Sequence, residues 1–347
     1  MTYDIKTVII MVTTTFIFTT ATVPFIKKLA LYIGAVDKPN SRKVHKKVMP
    51  RLGGLSIFLG FLLGYMLFAN QTVEMNSILI GSFIIILLGI FDDIKNIKPK
   101  YKLAVQLIAA SVIAFYGGMV LEEISAFGFY INFGIFSYPV TLLFVVAMIN
   151  SINLIDGLDG LAAGIGSIFF LTIGIIAFML NKLGGLDIVL SFIMLGSTLG
   201  FLVHNFYPAK IFMGDTGSMF LGFIISVIAL IGLKKVTLTS FVIPLLILAV
   251  PILDTCFAIL RRVINKKSIA QSDRQHLHHQ LLKMNFSHRT TVLIIYYINI
   301  LFAFASIIYF LRDSTIGIYI YMTLLVIVLW FVVTTNIIVN RKKSRNK

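Results

Sequence analysis

Residues 160–180 read GLAAGIGSIFFLTIGIIAFML, a stretch of 21 residues without one charged side chain. A helix rises about 1.5 Å per residue, so this stretch is long enough to cross the roughly 30 Å hydrocarbon layer of a bilayer. Only helices and closed β-barrels satisfy their backbone hydrogen bonds in lipid, and barrel strands alternate apolar with polar residues. The uninterrupted apolar run therefore predicts a transmembrane helix.

The rest of the chain repeats this pattern. Of its 347 residues, 58% are hydrophobic and 13% charged, with a mean hydropathy of +0.96, whereas a soluble domain carries about a quarter charged residues. We therefore expect an all-α, polytopic integral membrane protein. Breaks at glycine, proline and charge clusters delimit eleven spans: 8–26, 54–69, 78–91, 103–120, 139–152, 160–180, 187–204, 217–233, 240–260, 292–311 and 316–339. The second, third and fifth spans are short and are expected to lengthen or tilt, and residues 122–137 suggest a small external hairpin.

The positive charges fall on one side of this topology. Alternating loops place 25 of the 30 Lys and Arg residues in 27–53, 92–102, 205–216, 261–291 and the tail from Arg341. The positive-inside rule assigns this set to the cytoplasm, with the N-terminus outside and the C-terminus inside. The first apolar stretch lacks a cleavage site and is expected to stay as a span. The net charge of +16 then reflects orientation and anionic lipid, not nucleic-acid binding.

The positive-inside rule does not explain acidic residues on the same side of the membrane. The first pair of them lies at the end of the third span. Asp92 and Asp93 lie in the sequence FDDIKN over 91–96. Adjacent side chains on a helix point about 100° apart, so one carboxylate can bind a metal or accept a proton while the other takes a different role. The alternative is two solvated aspartates beside Lys95 and Lys98.

The second motif, NSINLIDGLDGLA over 150–162, is the most specific. Asn150, Asn153 and Asp156 recur every three residues, which on a helix places them along one slowly rotating face, and Asp159 follows. The two glycines after Asp156 can break the helix and admit a ligand close to the backbone. A helix cap followed by a turn explains only some of these residues.

The third motif, FMGDTGS over 212–218, places Asp215 between glycines where a span begins. Free N–H groups at a helix start favour phosphate, and a carboxylate there can hold a cation. A plain N-cap by Asp215 or Thr216 is the competing interpretation. No Gly-Lys-Ser/Thr sequence follows a spaced glycine, so P-loop chemistry is not expected.

The fourth motif, DRQHLHHQ over 273–280, favours phosphate binding. Arg274 can pair with phosphate oxygens, and His276 and His279 share a helical face. Zinc ligation and a solvated polar loop are the alternatives, although no H-E-x-x-H pattern is present.

Two further features point to the same side. In the basic segment 42–54, topology explains most of the charges and leaves Lys46 and Arg51 as candidates for a lipid phosphate. Asp254 lies with Pro251 inside the ninth span, and a carboxylate in that position is functional by default, with an unknown partner.

Clustered carboxylates, amides, histidines and arginine at a membrane boundary fit Mg²⁺ and a phosphorylated substrate. Mg²⁺ keeps several waters and takes one or two carboxylates together with substrate phosphates. It would neutralise a diphosphate and the charge that develops as its bridging bond breaks. A lipid substrate explains why such a site lies on a membrane bundle.

In this order, the four motifs resemble those of the polyprenyl-phosphate N-acetylhexosamine-1-phosphate transferases, and the resemblance covers nearly the whole chain. It implies transfer of a sugar 1-phosphate from a UDP-sugar to undecaprenyl phosphate, with release of UMP, at a Mg²⁺-dependent site, with Mn²⁺ as an alternative ion. The chain would then be one transmembrane transferase domain, 1–347, in the plasma membrane. Its cytoplasmic catalytic loops would be 27–53, 92–102, 153–160, 205–216 and 261–291.

The resemblance also assigns roles. It implies that Asp92 and Asp93 act near the lipid phosphate, one of them as a base, and that Asn153 and Asp215 lie near the metal. The remaining candidates share contact with the nucleotide-sugar or its phosphates. They are Asn150, Asp156, Asp159, Arg274, His276, His278 and His279. We favour direct attack by the lipid phosphate over a covalent aspartyl intermediate, because a phosphate monoester is already a competent nucleophile.

Leu277 interrupts the histidine run, and no proline precedes it. This matches the UDP-N-acetylglucosamine (UDP-GlcNAc) branch of the resembled family and differs from the UDP-MurNAc-pentapeptide branch of peptidoglycan synthesis. The excess of Lys over Arg and frequent Ile and Asn suggest an AT-rich genome, which makes wall teichoic acid the first expectation for the product's destination.

A homodimer is one possible assembly. A transporter or lipid flippase, and an intramembrane protease, are the rival hypotheses, but the motifs lie at loop junctions and not at mid-span.

Overall fold

The computed structural model describes residues 4–38, 48–126, 129–180, 185–233, 247–264, 276–312 and 314–334. Its helices are α1 (Ile5–Ile33), α2 (Gly53–Phe68), α3 (Val73–Lys95), α4 (Pro99–Ser111, continued by a π-helical turn at Val112–Tyr116), α5 (Ser137–Ile155), α6 (Leu161–Met179), α7 (Leu186–Asn205), α8 (Gly214–Leu233), α9 (Ala249–Ile264), α10 (Leu277–Lys283), α11 (His288–Leu311) and α12 (Ser314–Thr334). Two short antiparallel pairs join β1 (Val36–Asp37) to β2 (Met49–Pro50) and β3 (Glu123–Ala126) to β4 (Phe129–Asn132).

The structure is that of an all-helical polytopic membrane protein. A helix overlaps each predicted span, and seven helices of the described residues are long and apolar enough to cross a bilayer. The spans predicted at 78–91 and 139–152 lengthen into α3 and α5, and the hairpin predicted within 122–137 forms as β3–β4. The span predicted at 103–120 begins earlier, because Pro99 occupies the first turn of α4, where its missing N–H costs nothing.

The chain divides into two compact units, residues 1–244 and 245–347. In the first unit, α8 is the central helix, since it packs against α2, α3, α5, α6 and α7. Of the stretch of α8 that could span a membrane, 94% is buried in the protein, against 28% for α1. The neighbours of α8 therefore fix the position of its N-terminus.

Glycines allow two helices to reach that N-terminus. A Cβ atom added at Gly89 of α3 would lie 2.2 Å from Thr216 Cα, and one added at Gly54 of α2 would lie 2.0 Å from Gly217 Cα. At such distances the hydrogen of a glycine fits, but the methyl group of an alanine does not. Gly89 is four residues before Asp93, and residues four apart share a helix face, so this close approach also brings Asp93 to the start of α8.

The second unit contains α9 to α12. A small core is formed by Ala249 of α9, Phe302 and Ala305 of α11 and Tyr321 of α12, and both α9 and α10 pack on α11. The short helix α10 carries the histidine motif. Residues 234–246, which include the first part of the span predicted at 240–260, lie outside the described residues.

We expect Gly89→Ala to destabilise the protein by about 1–3 kcal/mol, because the added methyl group meets backbone atoms that must shift. Thermal unfolding in detergent measures the loss. Gly174→Ala in α6 is the control, because its Cβ would meet the Phe192 ring at 3.0 Å, and a side chain can move aside. Equal unfolding temperatures for the two variants would contradict the close contact of α3 with α8.

Candidate functional site

Asp93, at the end of α3, caps the N-terminus of α8. Its Oδ1 accepts the Asp215 N–H at 2.9 Å, and its Oδ2 accepts the Thr216 N–H at 3.1 Å and the Thr216 hydroxyl at 2.7 Å. The carboxylate thereby satisfies donors that have no partner within their own helix. The competing interpretation, a plain N-cap by Asp215 or Thr216, is therefore replaced by a cap from a residue more than 120 positions earlier in the chain.

Two cations bridge the carboxylates around this cap. The Lys102 ammonium lies 2.6 Å from Asp92 Oδ2 and 2.7 Å from Asp215 Oδ2. Arg51 Nη2 lies 3.3 Å from Asp215 Oδ1 and 3.4 Å from Asp93 Oδ1. Asp215 therefore lies between both cations, and each of the other two aspartates has one of them.

The protein environment keeps both cations charged. Burial disfavours the charged form of Lys102, but the nearby Asp215 and Asp92 carboxylates outweigh burial and raise the pKa of Lys102 above its ordinary value. Burial likewise opposes the charge of Arg51, and Asp93 and Asp215 outweigh it and raise the pKa of Arg51. Three carboxylates against two fixed cations leave this cluster one negative charge in excess when all three are ionised.

Arg51 reaches the cluster through a short backbone connection. The Gly53 N–H donates to Phe212 O at 2.9 Å, and the Gly54 N–H donates to Met213 O at 2.8 Å. The Phe212 N–H in turn donates to Pro50 O at 2.8 Å. These bonds join residues 50–54 to residues 212–213, so they hold Arg51 beside the FMGDTGS motif.

The two asparagines of the second motif lie on α5 but differ in their surroundings. Asn153 donates its Nδ2 hydrogen to Ser218 Oγ of α8 at 2.8 Å, which links the second motif to the third and leaves Asn153 Oδ1 as a further acceptor. Asn150 donates to Gln106 Oε1 at 2.8 Å and to Val146 O at 2.8 Å. Its amide nitrogen is therefore engaged within the bundle, and its predicted contact with the nucleotide-sugar stays a prediction.

The helix of the second motif ends earlier than the three-residue spacing predicts. Asp156 follows the last residue of α5 and serves as its C-cap, so it does not continue the helical face. Desolvation of its carboxyl and repulsion from Asp215 raise the pKa of Asp156 to about 7, although Arg51 opposes the shift. Asp159 accepts the Ala209 N–H at 3.0 Å, which ties the loop to the segment before α8.

The histidine motif lies in the second unit and has its own carboxylate. His276 precedes α10, and its Nδ1 lies 2.9 Å from Asp254 Oδ2. His278 is buried, and burial lowers its pKa well below the ordinary value, so its ring is neutral. The ring centroids of His278 and His279 are 4.2 Å apart. Two other candidates, Lys46 and Arg274, lie outside the described residues.

The donor set suits a hard cation. Carboxylate oxygens of Asp92, Asp93 and Asp215 and the amide oxygen of Asn153 are the ligand types that Mg²⁺ prefers. Across the described residues, no three His, Cys, Asp or Glu side chains converge as a complete metal cage would require. A site that supplies one or two protein ligands and takes the rest from substrate phosphates and water fits this arrangement.

Sequence reasoning missed Lys102. It counted this lysine only as one of the loop charges that orient the protein, whereas the structure places it in the first turns of α4 against Asp92 and Asp215. The proline at 99 was the available signal. A helix that starts there carries Lys102 on its first turns, beside the end of α3.

Comparisons of the sequence with known proteins agree with the resemblance. Residues 75–233 match the family described as "Glycosyl transferase family 4". The chain is 46% identical over 308 residues to the "Probable undecaprenyl-phosphate N-acetylglucosaminyl 1-phosphate transferase" of Bacillus subtilis, a match that covers 88% of this chain and 85% of that protein.

Two more distant relatives extend the likeness. The chain is 34% identical to the "Decaprenyl-phosphate N-acetylglucosaminephosphotransferase" of Mycolicibacterium smegmatis, over 82% of this chain and 78% of the relative. It is 31% identical to the "Undecaprenyl-phosphate alpha-N-acetylglucosaminyl 1-phosphate transferase" of Escherichia coli, over 81% of this chain and 78% of the relative.

We expect Asp93→Asn to destabilise the protein more than Asp92→Asn. An asparagine at 93 has only one acceptor oxygen, and its amide hydrogens would face N–H donors of α8. We expect the lost cap to lower the free energy of unfolding by about 1–2 kcal/mol. Thermal unfolding of both variants in detergent without added substrate tests the difference. The capping role of Asp93 is wrong if Asp92→Asn proves the less stable of the two.

Proposed function

The chain belongs to glycosyl transferase family 4, and on that premise we propose that it transfers GlcNAc 1-phosphate from UDP-GlcNAc to undecaprenyl phosphate. The products are undecaprenyl-diphospho-GlcNAc and UMP. The observation that carries this proposal is the group of Asp92, Asp93 and Asp215 held by Lys102 and Arg51 at the start of α8. The names of the three relatives support the donor sugar and the lipid class.

The reaction exchanges one diphosphate (phosphoanhydride) bond for another. An oxygen of the lipid phosphate attacks the sugar-linked phosphorus of UDP-GlcNAc, and the bond from that phosphorus to the oxygen of UMP breaks. Any proton on the lipid phosphate must leave before attack. We assign this proton transfer to Asp92. The Asp93 side chain is 0% exposed and uses both oxygens to cap α8 and orient Asp215. Asp92 Oδ1 accepts the Ile97 N–H at 2.6 Å, but its Oδ2 lies 2.6 Å from the Lys102 ammonium, a group that can exchange a carboxylate for a phosphate oxygen.

Lys102 then has a role as well. Its ammonium lies between Asp92 and Asp215, where it can neutralise a phosphate oxygen while Asp92 accepts a proton. Asn153 and Asp215 would hold Mg²⁺, or Mn²⁺ in its place. The metal would supply neutralisation of the diphosphate. Asp156 and Asp159, in the loop after α5, are proposed to hold the nucleotide-sugar, with phosphates bound by the histidine motif, Arg274, Lys46 and Arg51.

Purified protein in detergent, supplied with Mg²⁺, undecaprenyl phosphate and UDP-GlcNAc, should release UMP and form a labelled lipid, and EDTA should abolish both. Asp215→Asn should lower the rate roughly 100-fold or more, because it removes the carboxylate that is proposed to hold the metal and that positions Lys102 and Arg51. Asp4→Asn, the same change at the exposed cap of α1, is the matched control.

The same assay identifies the donor substrate. Turnover of UDP-MurNAc-pentapeptide in place of UDP-GlcNAc would move the protein to the peptidoglycan branch. Absence of UMP with either donor would refute the proposed reaction. We further propose that the lipid product enters a cell-wall glycopolymer, with wall teichoic acid as the first choice.

We propose eleven spans, with the N-terminus outside and the site on the cytoplasmic face of the plasma membrane. The asymmetric distribution of Lys and Arg supports this orientation. Cysteines placed at exposed Arg312 and Lys100, in a Cys256→Ser background, test it. An impermeant maleimide should label Arg312→Cys in intact cells and Lys100→Cys only after permeabilisation. The reverse pattern would invert the topology.

A further inference from the structure

Asp254 directs both of its carboxylate oxygens at the histidine motif. Oδ2 accepts from His276 Nδ1 at 2.9 Å, and Oδ1 accepts the Leu277 N–H at 2.9 Å. Asp254 is 6% exposed and His276 is 4% exposed. A buried carboxylate is costly unless it is hydrogen-bonded, and here both partners belong to one motif 22 and 23 residues further along the chain.

This contact decides where His276 carries a proton. An ionised carboxylate only accepts hydrogen bonds, so the ring nitrogen that faces it, Nδ1, is the protonated one. Among the described residues, no hydrogen bond occupies His276 Nε2. The Nε2 atom is therefore the one available to a ligand, and the carboxylate can balance positive charge when that atom also carries a proton.

Two contacts together fix the orientation of the ring. The His276 and His278 rings are parallel to within 1°, with centroids 5.8 Å apart. The bond to Leu277 N–H holds Asp254 against the start of α10, so the carboxylate cannot turn away from His276 without losing a second hydrogen bond. The three histidines thus differ: His276 has a carboxylate partner, whereas both ring nitrogens of His278 are buried without a hydrogen bond among the described residues.

We propose that Asp254 is a positioning residue, which aims His276 Nε2 at a phosphate of the UDP-GlcNAc donor without touching the donor itself. This inference rests on the proposed function, in which His276 binds phosphate. It supplies a partner for the carboxylate in the ninth predicted span. It also gives the first histidine of the motif a different role from the second.

The test uses wild type, Asp254→Asn, His276→Ala and the double variant. Asparagine keeps one oxygen for the Leu277 N–H but replaces the acceptor for His276 Nδ1 with an amide group. We expect Asp254→Asn to raise KM for UDP-GlcNAc about 10-fold or more with little change in kcat, because contact to a donor phosphate is lost equally in ground and transition states. KM for undecaprenyl phosphate should stay unchanged.

The double variant should match His276→Ala alone, because Asp254 acts only through that ring. Thr255→Val, on the same helix, removes a hydroxyl that donates to Pro251 O of its own helix, and should leave both KM values unchanged. A wild-type KM in Asp254→Asn, or kinetic losses that multiply in the double variant, would overturn the inference.

Thermal unfolding of the same four proteins separates this inference from the proposed function. If the pair is real, the double variant should lose less stability than the two single losses combined. No coupling would overturn the pair, whatever the activity. If coupling is present but wild type releases no UMP, the proposed reaction fails, and the assigned role in donor binding fails with it.

Discussion

The structure of the first unit depends on how carboxylates at the C-terminal end of one membrane helix are neutralised. The end of α3 carries the negative pole of its helix dipole, and Asp92 and Asp93 add two formal charges to it. Without partners, these carboxylates would oppose folding at this buried position. The N-terminus of α8 and the Lys102 ammonium provide the opposite charge. The contact between α3 and α8 is thus a structural requirement as well as the centre of the proposed site.

This requirement explains features that look unrelated in the sequence. Gly89 allows α3 to approach the first turn of α8, and Gly54 allows α2 to do the same from another direction. The hydrogen bonds between 50–54 and 212–213 hold Arg51 beside Asp93 and Asp215. Positioning of the cations and close packing of the helices are therefore one arrangement.

Hydropathy and charge predicted the helices well, because apolar length and loop charge are local properties of a sequence. The four polar motifs were also recognisable, and three of them meet around α8 in the first unit. The pairings were not predictable: Asp93 with Thr216, Lys102 with Asp215, and Asp254 with His276. Each joins residues far apart in the chain, and no spacing rule for a single helix contains that information. The same holds for the end of α5, where the three-residue spacing implied a helix through Asp156 and the structure ends it at Ile155.

The charge balance of the site bears on how it would receive a substrate. Carboxylates and cations are paired with one another in this structure, so a substrate that binds exchanges one set of partners for another. Such preorganisation keeps the cost of binding low and directs fixed charges at the reacting phosphates. When Asp92, Asp93 and Asp215 are all ionised, they exceed Arg51 and Lys102 by one negative charge, which suits the divalent cation proposed for this site better than an anion. A divalent cation at this position would make the balance positive, and a positive site would attract the two phosphorylated substrates that the proposed reaction needs.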